Sequence, residues 1–172
     1  GQEKERTEAY ERLGVLQSRF VGYERLKQKT TVLGLVVQGQ PADSAGEGDE
    51  VEVLLEETPF YGEMGGQTGD SGSICGEHSR LDITEAVRPL AELIVHRGRV
   101  AKARVAVSDV VEAEVDADRR LDIARNHTAT HLLQYALRKV LGSHVRQSGS
   151  LVAPDRFRFD FTHLESVSRT QL

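Results

Sequence analysis

The sequence contains no tryptophan, one cysteine and four prolines among 172 residues. Because Cys75 has no second cysteine to pair with, a disulfide within the chain is excluded, which suits a reducing compartment. No apolar run approaches the roughly 20 residues that a membrane-spanning helix needs, and the chain does not start like a secretory signal. We therefore expect no membrane partner and a cytoplasmic location.

Aromatic residues are also scarce, at 5% of the chain, which argues against a base-stacking platform for single-stranded nucleic acid. The net charge of -5 argues against indiscriminate nucleic-acid binding. The charge is uneven, however. Residues 43–63 carry no lysine or arginine, whereas basic side chains cluster in 97–104, 119–125 and 138–146. These clusters indicate either a phosphate-binding face or a solvated surface, and composition does not choose between them.

Hydrophobic residues make up 38% of the chain and charged residues 28%, as in soluble globular proteins. Residues 1–27 have the apolar spacing of a helix, with Leu13, Leu16 and Phe20 on one side. From Thr30 onward the period changes to two, which is typical of strands. The strand candidates are 30–38, 51–57, 80–84, 91–96, 103–107 and 110–115. Short strands at this spacing predict a small antiparallel barrel.

Two histidines, His127 and His131, stand four residues apart at the start of a long helical pattern. On a helix this spacing places both side chains on one face. At about 100° per residue, an apolar stripe lies on the opposite side. Its members are Ala129, Leu132, Leu133, Ala136, Leu137 and Val140. Spacing alone leaves two interpretations open: a pair of surface histidines, or part of a zinc site, which needs three or four ligands.

A glycine-rich segment, TPFYGEMGGQTGD, occupies residues 58–70. Its glycines permit unusual backbone geometry and leave main-chain groups uncovered. It is an ordinary turn, a backbone surface that approaches a ligand, or a flexible loop, and composition favours the turn. Gly65, Gly66 and Gln67 also spell the tripeptide of peptide-release factors, but nothing around them supports that function.

The C-terminal third continues with a polar segment, RQSGS, that predicts a turn after a helix ended by Gly142. The alternating RFRFDF predicts a strand, with Phe157, Phe159 and Phe161 on one face. Residues 164–172 have the pattern of a helix that has barely begun. Elsewhere, we expect His78 and His96 to be surface residues, at a turn and at a strand end.

Three stretches resemble, in order, the middle region of the alanyl-tRNA synthetase family. SRFVGYERL, residues 18–26, is similar to the segment that leads out of the tRNA-recognition helices. TPFYGEMGGQTGD is similar to the glycine motif of the β-barrel domain. The stretch from VDADRRLDIARNHTATHLLQ through GSHVRQSGSLV to RFRFDFTH resembles the start of the editing domain. The match they mark covers nearly the whole chain, in the same order as in the family.

The resemblance implies an enzyme that attaches alanine to alanine tRNA with ATP and magnesium. It also implies a zinc-containing editing site that hydrolyses serine or glycine wrongly attached to that tRNA. The family holds zinc with a His-x-x-x-His pair and a later Cys-x-x-x-His pair, and His127 and His131 match the first. Gln147 matches a glutamine of the editing pocket, and Gly65 and Gly66 match the glycine motif. No residue matches a further catalytic or cofactor-binding role.

The chain departs from the family pattern in two respects. It contains no Cys-x-x-x-His, and Cys75 lies in the predicted barrel. His144 and His163 are the spare histidines nearby, and we predict a turn residue and a strand-end residue rather than ligands. The family's ATP-binding catalytic domain has no counterpart in the 172 residues, and the chain starts at Gly1 without methionine. We therefore expect an inactive fragment of the enzyme.

The predicted fold class is α+β. We expect the helical tail of the recognition domain at 1–27, a small antiparallel β-barrel at 28–118, and the truncated start of an α+β editing domain at 119–172. Two alternatives remain. A free-standing alanyl-tRNA editing hydrolase would lack the recognition helices, so residues 18–26 argue against it. A non-catalytic barrel would bind tRNA or orient domains.

Overall fold

The computed structural model describes residues 2–172, with side chains from Lys4 onward. Gly1, where the predicted helical segment starts, and the side chain of Glu3 lie outside the described residues. Within the described range the chain forms two helices, α1 (Gln2–Leu13) and α2 (Ala117–Leu141). The strands are β1 (Arg19–Phe20), β2 (Lys27–Val37), β3 (Gln40–Ala42), β4 (Ser44–Gly46), β5 (Glu50–Leu55), β6 (Glu57–Thr58), β7 (Gly72–Cys75), β8 (Arg80–Leu90), β9 (Leu93–Lys102), β10 (Arg104–Ala106), β11 (Val110–Val115), β12 (Arg146–Val152) and β13 (Phe157–Thr162).

The chain divides into two compact units. The first comprises residues 2–64 and 69–117, and the second comprises residues 65–68 and 118–172. Residues 65–68, the centre of the glycine motif, therefore group with α2 and its hairpin rather than with the strands that flank them in sequence. Neither helix of the described chain combines the length and apolar character that crossing a membrane requires.

A closed six-stranded antiparallel barrel forms the body of the first unit. Its strands follow the order β11-β7-β8-β9-β5-β2, and β2 pairs back with β11 to close it. The closing register aligns Val110 with Thr31 and Glu114 with Lys27. Closure pairs strands that would otherwise expose unpaired backbone groups. The predicted barrel and the α+β class are confirmed.

Residues of alternating character fill this barrel. In β11, Val111, Ala113 and Val115 are buried, whereas Glu112 and Glu114 between them are exposed. Successive side chains of a strand point to opposite faces, so this alternation separates the core from solvent. The buried core consists of Val32, Leu35, Ala45, Val51, Val53, Leu55, Phe60, Ile74, Leu81, Ile83, Ala86, Ile94, Val100, Val105, Val111, Ala113 and Val115.

Helix α1 packs on the outside of the barrel through Ala9 and Tyr10, which are 1% and 0% exposed. The Tyr10 hydroxyl donates a hydrogen bond to Glu52 of β5. Arg6 pairs with the same carboxylate at 3.1 Å. Burial, reinforced by Glu52, raises the pKa of Tyr10, so its hydroxyl remains a donor. Glu52 occupies a polar position of the strand pattern and is buried because α1 covers it and supplies partners for its charge.

The prediction of a helix over 1–27 is wrong beyond Leu13. Gly14 has a φ of +69°, the left-handed conformation that commonly ends helices. Downstream, β1 pairs in parallel with β6, with Phe20 opposite Thr58. Phe20 packs against the barrel core, whereas Leu16 is 54% exposed. The apolar residues at near-helical spacing thus belong to different elements.

The prediction that His96 is a surface residue is also wrong, because the side chain is fully buried. Strand β9 continues to Lys102, so His96 lies in mid-strand. Its Nδ1 donates to the Val53 carbonyl at 2.8 Å, and Nε2 lies 2.7 Å from the Thr58 hydroxyl, which donates to it. Burial lowers the pKa of His96 to about 4, although the bond to Val53 opposes the shift. His78, by contrast, is exposed as predicted.

The second unit contains α2 and the antiparallel β12–β13 hairpin. The strand predicted at RFRFDF is confirmed as β13, and α2 ends just before Gly142 as predicted. The predicted turn at RQSGS is wrong, because this segment forms most of β12. A bulge between Gln147 and Gly149 interrupts the strand alternation there, which hid the strand from pattern analysis. Residues 164–172 contain no helix.

The apolar stripe of α2 is not the face that packs in this unit. Leu132 and Val140 are 65% and 53% exposed, whereas Ile123 and Thr130 are 1% and 8% exposed. At about 100° per residue, His127 lies only about 40° around the helix from Ile123. Among the described residues, the second unit therefore packs on the face beside the histidines, and it leaves four of the six residues of the apolar stripe exposed and Ala129 and Leu137 half-buried.

Candidate metal-binding site

His127 is held by Gln67, the third residue of the Gly-Gly-Gln tripeptide. The Gln67 side-chain oxygen Oε1 lies 2.7 Å from His127 Nδ1. An amide oxygen only accepts, so Nδ1 carries the proton and Nε2 keeps its lone pair. Histidines that bind metals usually donate their other ring N–H to such an oxygen, which fixes tautomer and orientation. His127 is therefore arranged to offer Nε2 to a ligand.

His131 lies one turn further along α2, beside His127. The two ring centroids are 4.8 Å apart and the rings are inclined by 29°. Both side chains are exposed. Two adjacent imidazoles form a donor set that suits zinc, which takes histidine nitrogens at about 2.0–2.1 Å. The geometry thus fits the first half of the expected metal site.

The rotation of α2 that presents these histidines is fixed by Asn126. Its side-chain amide donates to the carbonyls of Ala153 and Pro154 at 2.7 Å and 3.1 Å. Thr130, one turn later, donates to the Asn126 carbonyl at 2.8 Å. Because Ile123 is buried on the same side, the histidine-bearing turns of α2 are anchored to the chain that follows β12.

The glycine motif reaches the site by pairing with β12. Val152 donates its N–H to the Gly66 carbonyl at 2.7 Å and accepts from Thr68 at 3.0 Å. A Cβ on Gly66 would lie 2.5 Å from the Ser150 carbonyl oxygen, and its φ is +84°. Only glycine fits that position. Gly65 also has a positive φ, +63°, but nothing within 4 Å. The motif is thus a turn with two close backbone approaches: β12 approaches Gly66, and β8 approaches Gly69, where a Cβ would lie 1.8 Å from the Ala86 carbonyl oxygen.

Gln147 lies at the bulge of β12. Its side-chain amide donates to the Ser150 hydroxyl at 2.9 Å. Ser150 in turn borders Gly66, whose neighbour Gln67 binds His127. Within the second unit, contacts therefore connect Gln147, Gly66 and His127, and His131 joins them by stacking on His127. Of the residues predicted for the site, Gly65 makes no such contact. Bulges are common beside functional sites because they redirect side chains.

The spare histidines form a separate pair. His144 Nε2 lies 2.9 Å from His163 Nδ1, and the rings stack at 5.1 Å. Each is thus the hydrogen-bond partner of the other. Over residues 2–172 as described, no group of three or more His, Cys, Asp or Glu side chains is arranged to hold a metal ion.

Gln67 and Ser150 are the two members of the site that sequence analysis missed. Gln67 was part of a tripeptide considered only for its similarity to release factors. Gln67 could have been identified from the sequence, since it lies within the glycine motif itself. Ser150 had none, because it lies in a segment predicted as a turn and its importance depends on pairing between distant residues.

The class of protein follows from a family comparison. Residues 2–119, which include the barrel, match the family described as tRNA synthetases class II (A). The chain belongs to this family.

The chain is also similar to individual proteins, all named alanine–tRNA ligase. The chain is 54% identical over 155 residues to the alanine–tRNA ligase of Chloroflexus aurantiacus, an alignment that covers 90% of the chain. It is 48% identical over 165 residues to that of Roseiflexus castenholzii, covering 96%. It is 49% identical over 155 residues to that of Anaeromyxobacter dehalogenans, covering 90%.

The chain is short compared with these relatives. The alignments cover 17% of the Chloroflexus and Anaeromyxobacter proteins and 18% of the Roseiflexus protein. Because each alignment spans at least 155 of the 172 residues, it extends past residue 119, where the family match ends, and includes α2 with its two histidines.

Proposed function

We propose that this chain is part of an alanine–tRNA ligase and supplies half of its editing site, which hydrolyses serine or glycine wrongly attached to alanine tRNA. The observation that carries the proposal is the hydrogen bond of 2.7 Å from His127 to Gln67, which leaves Nε2 of His127 available to a metal ion. The names of the relatives support the ligase.

The physical need for such a site lies in the size of the amino acids. A hydrophobic pocket distinguishes side chains that differ by one methylene by only about 1–3 kcal/mol, and rejects an added hydroxyl poorly. Synthetases for small side chains are the established example of this limit. An enzyme that selects alanine against glycine and serine therefore needs a second, hydrolytic selection.

His127 and His131 are the residues of this chain that would hold zinc. Bound zinc would supply either an activated water for ester hydrolysis or an anchor for the aminoacyl group. Two further ligands are needed for a tetrahedral site, and we assign them to a Cys-x-x-x-His pair in the part of the ligase that these 172 residues do not contain.

The remaining residues of the site act through their neighbours. Gln67 holds His127 in one tautomer and one orientation. Gly66 lets the glycine motif lie against Ser150, and Ser150 accepts the amide of Gln147. We assign the aminoacyl group of the tRNA to the space next to the histidines, with Gln147 and the glycine backbone as the groups that would border it.

In the whole enzyme, alanine attachment would use ATP and magnesium at a catalytic domain outside these residues, with alanine tRNA as the partner and the cytoplasm as the location. The chain alone would neither attach alanine nor complete the editing chemistry, because it supplies only two of the metal ligands.

Zinc content tests the proposal. Full-length ligase should lose chelator-resistant zinc when His127 or His131 is replaced by alanine, whereas His144→Ala, in the separate histidine pair, should retain it. The 172-residue chain should bind zinc weakly or not at all. Unchanged zinc in both alanine variants, or stoichiometric chelator-resistant zinc in the chain alone, would overturn the assignment of the ligands.

A further inference from the structure

A second pair of histidines, in addition to His127 and His131, meets at the open end of the β12–β13 hairpin. The Nε2 atom of His144 lies 2.9 Å from the Nδ1 atom of His163. The planes of the two rings are inclined by only 20°. His144 is exposed and His163 is half-buried, so solvent reaches the pair. The proposed function uses neither ring.

The backbone on both sides of the hairpin holds these two rings together. Strands β12 and β13 stay paired as far as the open end, and His163 follows β13 directly. Before β12, Val145 is 2% exposed and donates its N–H to the Gly142 carbonyl at 3.3 Å. Gly142 leaves room for the His144 ring, because a Cβ there would lie 2.9 Å from its Nδ1 atom. The register of the hairpin and the turn after α2 therefore bring the two nitrogens to one point.

The separation of the two nitrogens matches that of neighbouring ligands on one metal ion. Imidazole nitrogens bind a metal such as zinc at about 2.0–2.1 Å, which places two of them about 3.3 Å apart in a tetrahedral set and about 2.9 Å apart at adjacent corners of a square. The observed 2.9 Å is the second value. Square-planar sets are typical of Cu²⁺ and Ni²⁺, and Cu²⁺ binds most tightly among the first-row divalent ions. The geometry therefore favours copper over zinc.

We propose that Nε2 of His144 and Nδ1 of His163 bind a divalent transition-metal ion, Cu²⁺ in preference to Ni²⁺ or Zn²⁺, with water completing the coordination. In the metal-free pair, one of these nitrogens carries the proton that the other accepts. On metal binding this proton moves to the other nitrogen of the same ring, so both imidazoles stay neutral. The rings turn until both lone pairs point at the ion. This site does not depend on the proposed function.

The bound ion acts as a clip for the hairpin. A two-stranded hairpin by itself is only marginally stable, and β12 carries Gln147 and Ser150 shortly after His144. An ion that joins residues 144 and 163 closes the open end and stabilises the folded state, because the unfolded chain does not hold the two rings together. A site with two protein ligands stays open to solvent on its other sides, unlike a structural zinc site with four. A chelator therefore removes this ion, and it is not part of the chelator-resistant zinc of the ligase.

A copper titration of a simplified chain tests the site. His127→Ala and His131→Ala are introduced together into the 172-residue chain, because that pair also offers two imidazoles. Cys75→Ser is added to remove the single thiol of the chain. This background chain should bind one Cu²⁺ ion, which EDTA removes, and electron paramagnetic resonance should show nitrogen ligands. Further replacement by His144→Gln should abolish the binding, although the glutamine amide can still donate a hydrogen bond to His163.

The matched control is His78→Gln on the same background. His78 is exposed like His144, but its described partner is Glu77, at 3.7 Å, and not a second histidine. Copper binding should therefore be unchanged in this variant. Copper should also raise the midpoint of thermal unfolding of the background chain and of the His78→Gln variant, but not that of the His144→Gln variant.

Nitrogen-15 NMR identifies the binding atoms with Zn²⁺, which does not broaden the signals. Zinc should shift Nε2 of His144 and Nδ1 of His163, and the other nitrogen of each ring should carry the proton. Copper binding that survives His144→Gln, zinc coordination through Nδ1 of His144, tighter binding of Zn²⁺ than of Cu²⁺, or no stoichiometric copper on the background chain would each overturn the inference. The zinc measurement on the full-length ligase does not involve this pair, so the proposed function stands or falls separately.

Discussion

At the scale of single residues, the hydrogen bond between Gln67 and His127 carries the most chemical information. It predicts that His127 in the metal-free chain is the tautomer with the proton on Nδ1, because Gln67 Oε1 is the acceptor. Nitrogen-15 NMR of the imidazole measures this directly. Gln67→Ala should release the preference and make the ring signals those of an unconstrained histidine.

The matched control is Gln134→Ala, which removes a glutamine of α2, the helix that carries His127. Gln134 makes no described hydrogen bond to His127. The tautomer should be unchanged in that variant. In the full-length ligase, Gln67→Ala should weaken zinc binding by about 10- to 100-fold, as loss of an outer partner typically does. If His127 carries its proton on Nε2 in the original chain, the assignment of Gln67 as a positioning residue is wrong.

His96 gives the chain a pH-dependent stability. Its pKa is about 4 in the folded state against 6.5 when unfolded, so the unfolded state binds more protons between these values. The free energy of unfolding should therefore be highest above pH 6.5 and fall as the pH drops toward 4, by about 3 kcal/mol in all. Urea unfolding across this range checks the slope, and His96→Gln should flatten it. An NMR titration in which His96 is protonated at pH 6 would contradict the prediction without relying on the variant.

Sequence analysis proposed the histidine pair and Gln147 as site residues but placed His96 at the surface. The pair was recognisable because its spacing and surrounding motif are local in sequence. The burial of His96 depends on how far β9 extends and on Thr58 and Val53, which belong to other strands. Contacts between distant segments leave no local pattern.

At the scale of elements, the glycine motif depends on how closely β12 approaches it. Gly66→Ala should destabilise the chain by about 2–4 kcal/mol, because the left-handed backbone conformation is strained and the Cβ would lie 2.5 Å from the Ser150 oxygen. Gly65→Ala shares the positive φ but meets nothing within 4 Å, and should cost only about 1 kcal/mol. Urea unfolding of both variants measures the difference. Equal losses would mean that the approach of β12 is not a constraint.

Helix α2 provides a second test, because most of its apolar stripe is exposed, whereas the face beside the histidines is buried. Ile123→Ala should destabilise the chain by about 2–5 kcal/mol, since Ile123 is 1% exposed. Leu132→Ala removes a similar volume from a side chain that is 65% exposed, and should change stability by less than about 0.5 kcal/mol. Thermal unfolding followed by circular dichroism measures both. A larger loss for Leu132→Ala would show that the apolar stripe is covered in solution.

Regular elements with clear two-residue periodicity in sequence, such as β5, β11 and β13, were predictable from that alternation. In β11 the alternation separates buried from exposed side chains, whereas in β5 both faces are buried because α1 covers Glu52. Irregular elements were not predictable. The bulge in β12 breaks its alternation, and the segment after Gly14 changes from helix to strand while keeping apolar residues at helical spacing. In each case tertiary pairing overrides the local pattern.

At the scale of the whole molecule, the closed barrel followed from the number and spacing of strands, and the family followed from three motifs in order. The grouping of residues 65–68 with α2 did not follow from either. A short turn leaves its flanking strands and pairs with Val152, 85 residues further along the chain from Gln67, and nothing in the turn's own sequence records its partner.

The central claim is that the histidines of α2 serve hydrolysis of mischarged tRNA rather than structure or alanine attachment. The direct measurement uses the full-length ligase and compares hydrolysis of serine-charged alanine tRNA with attachment of alanine, in the original enzyme and in His127→Ala. We predict that hydrolysis falls by about 10- to 100-fold or more, because loss of only an outer partner of a metal ligand typically costs that much. Alanine attachment should be largely unchanged. Equal losses in both activities would contradict the account and assign His127 a structural role.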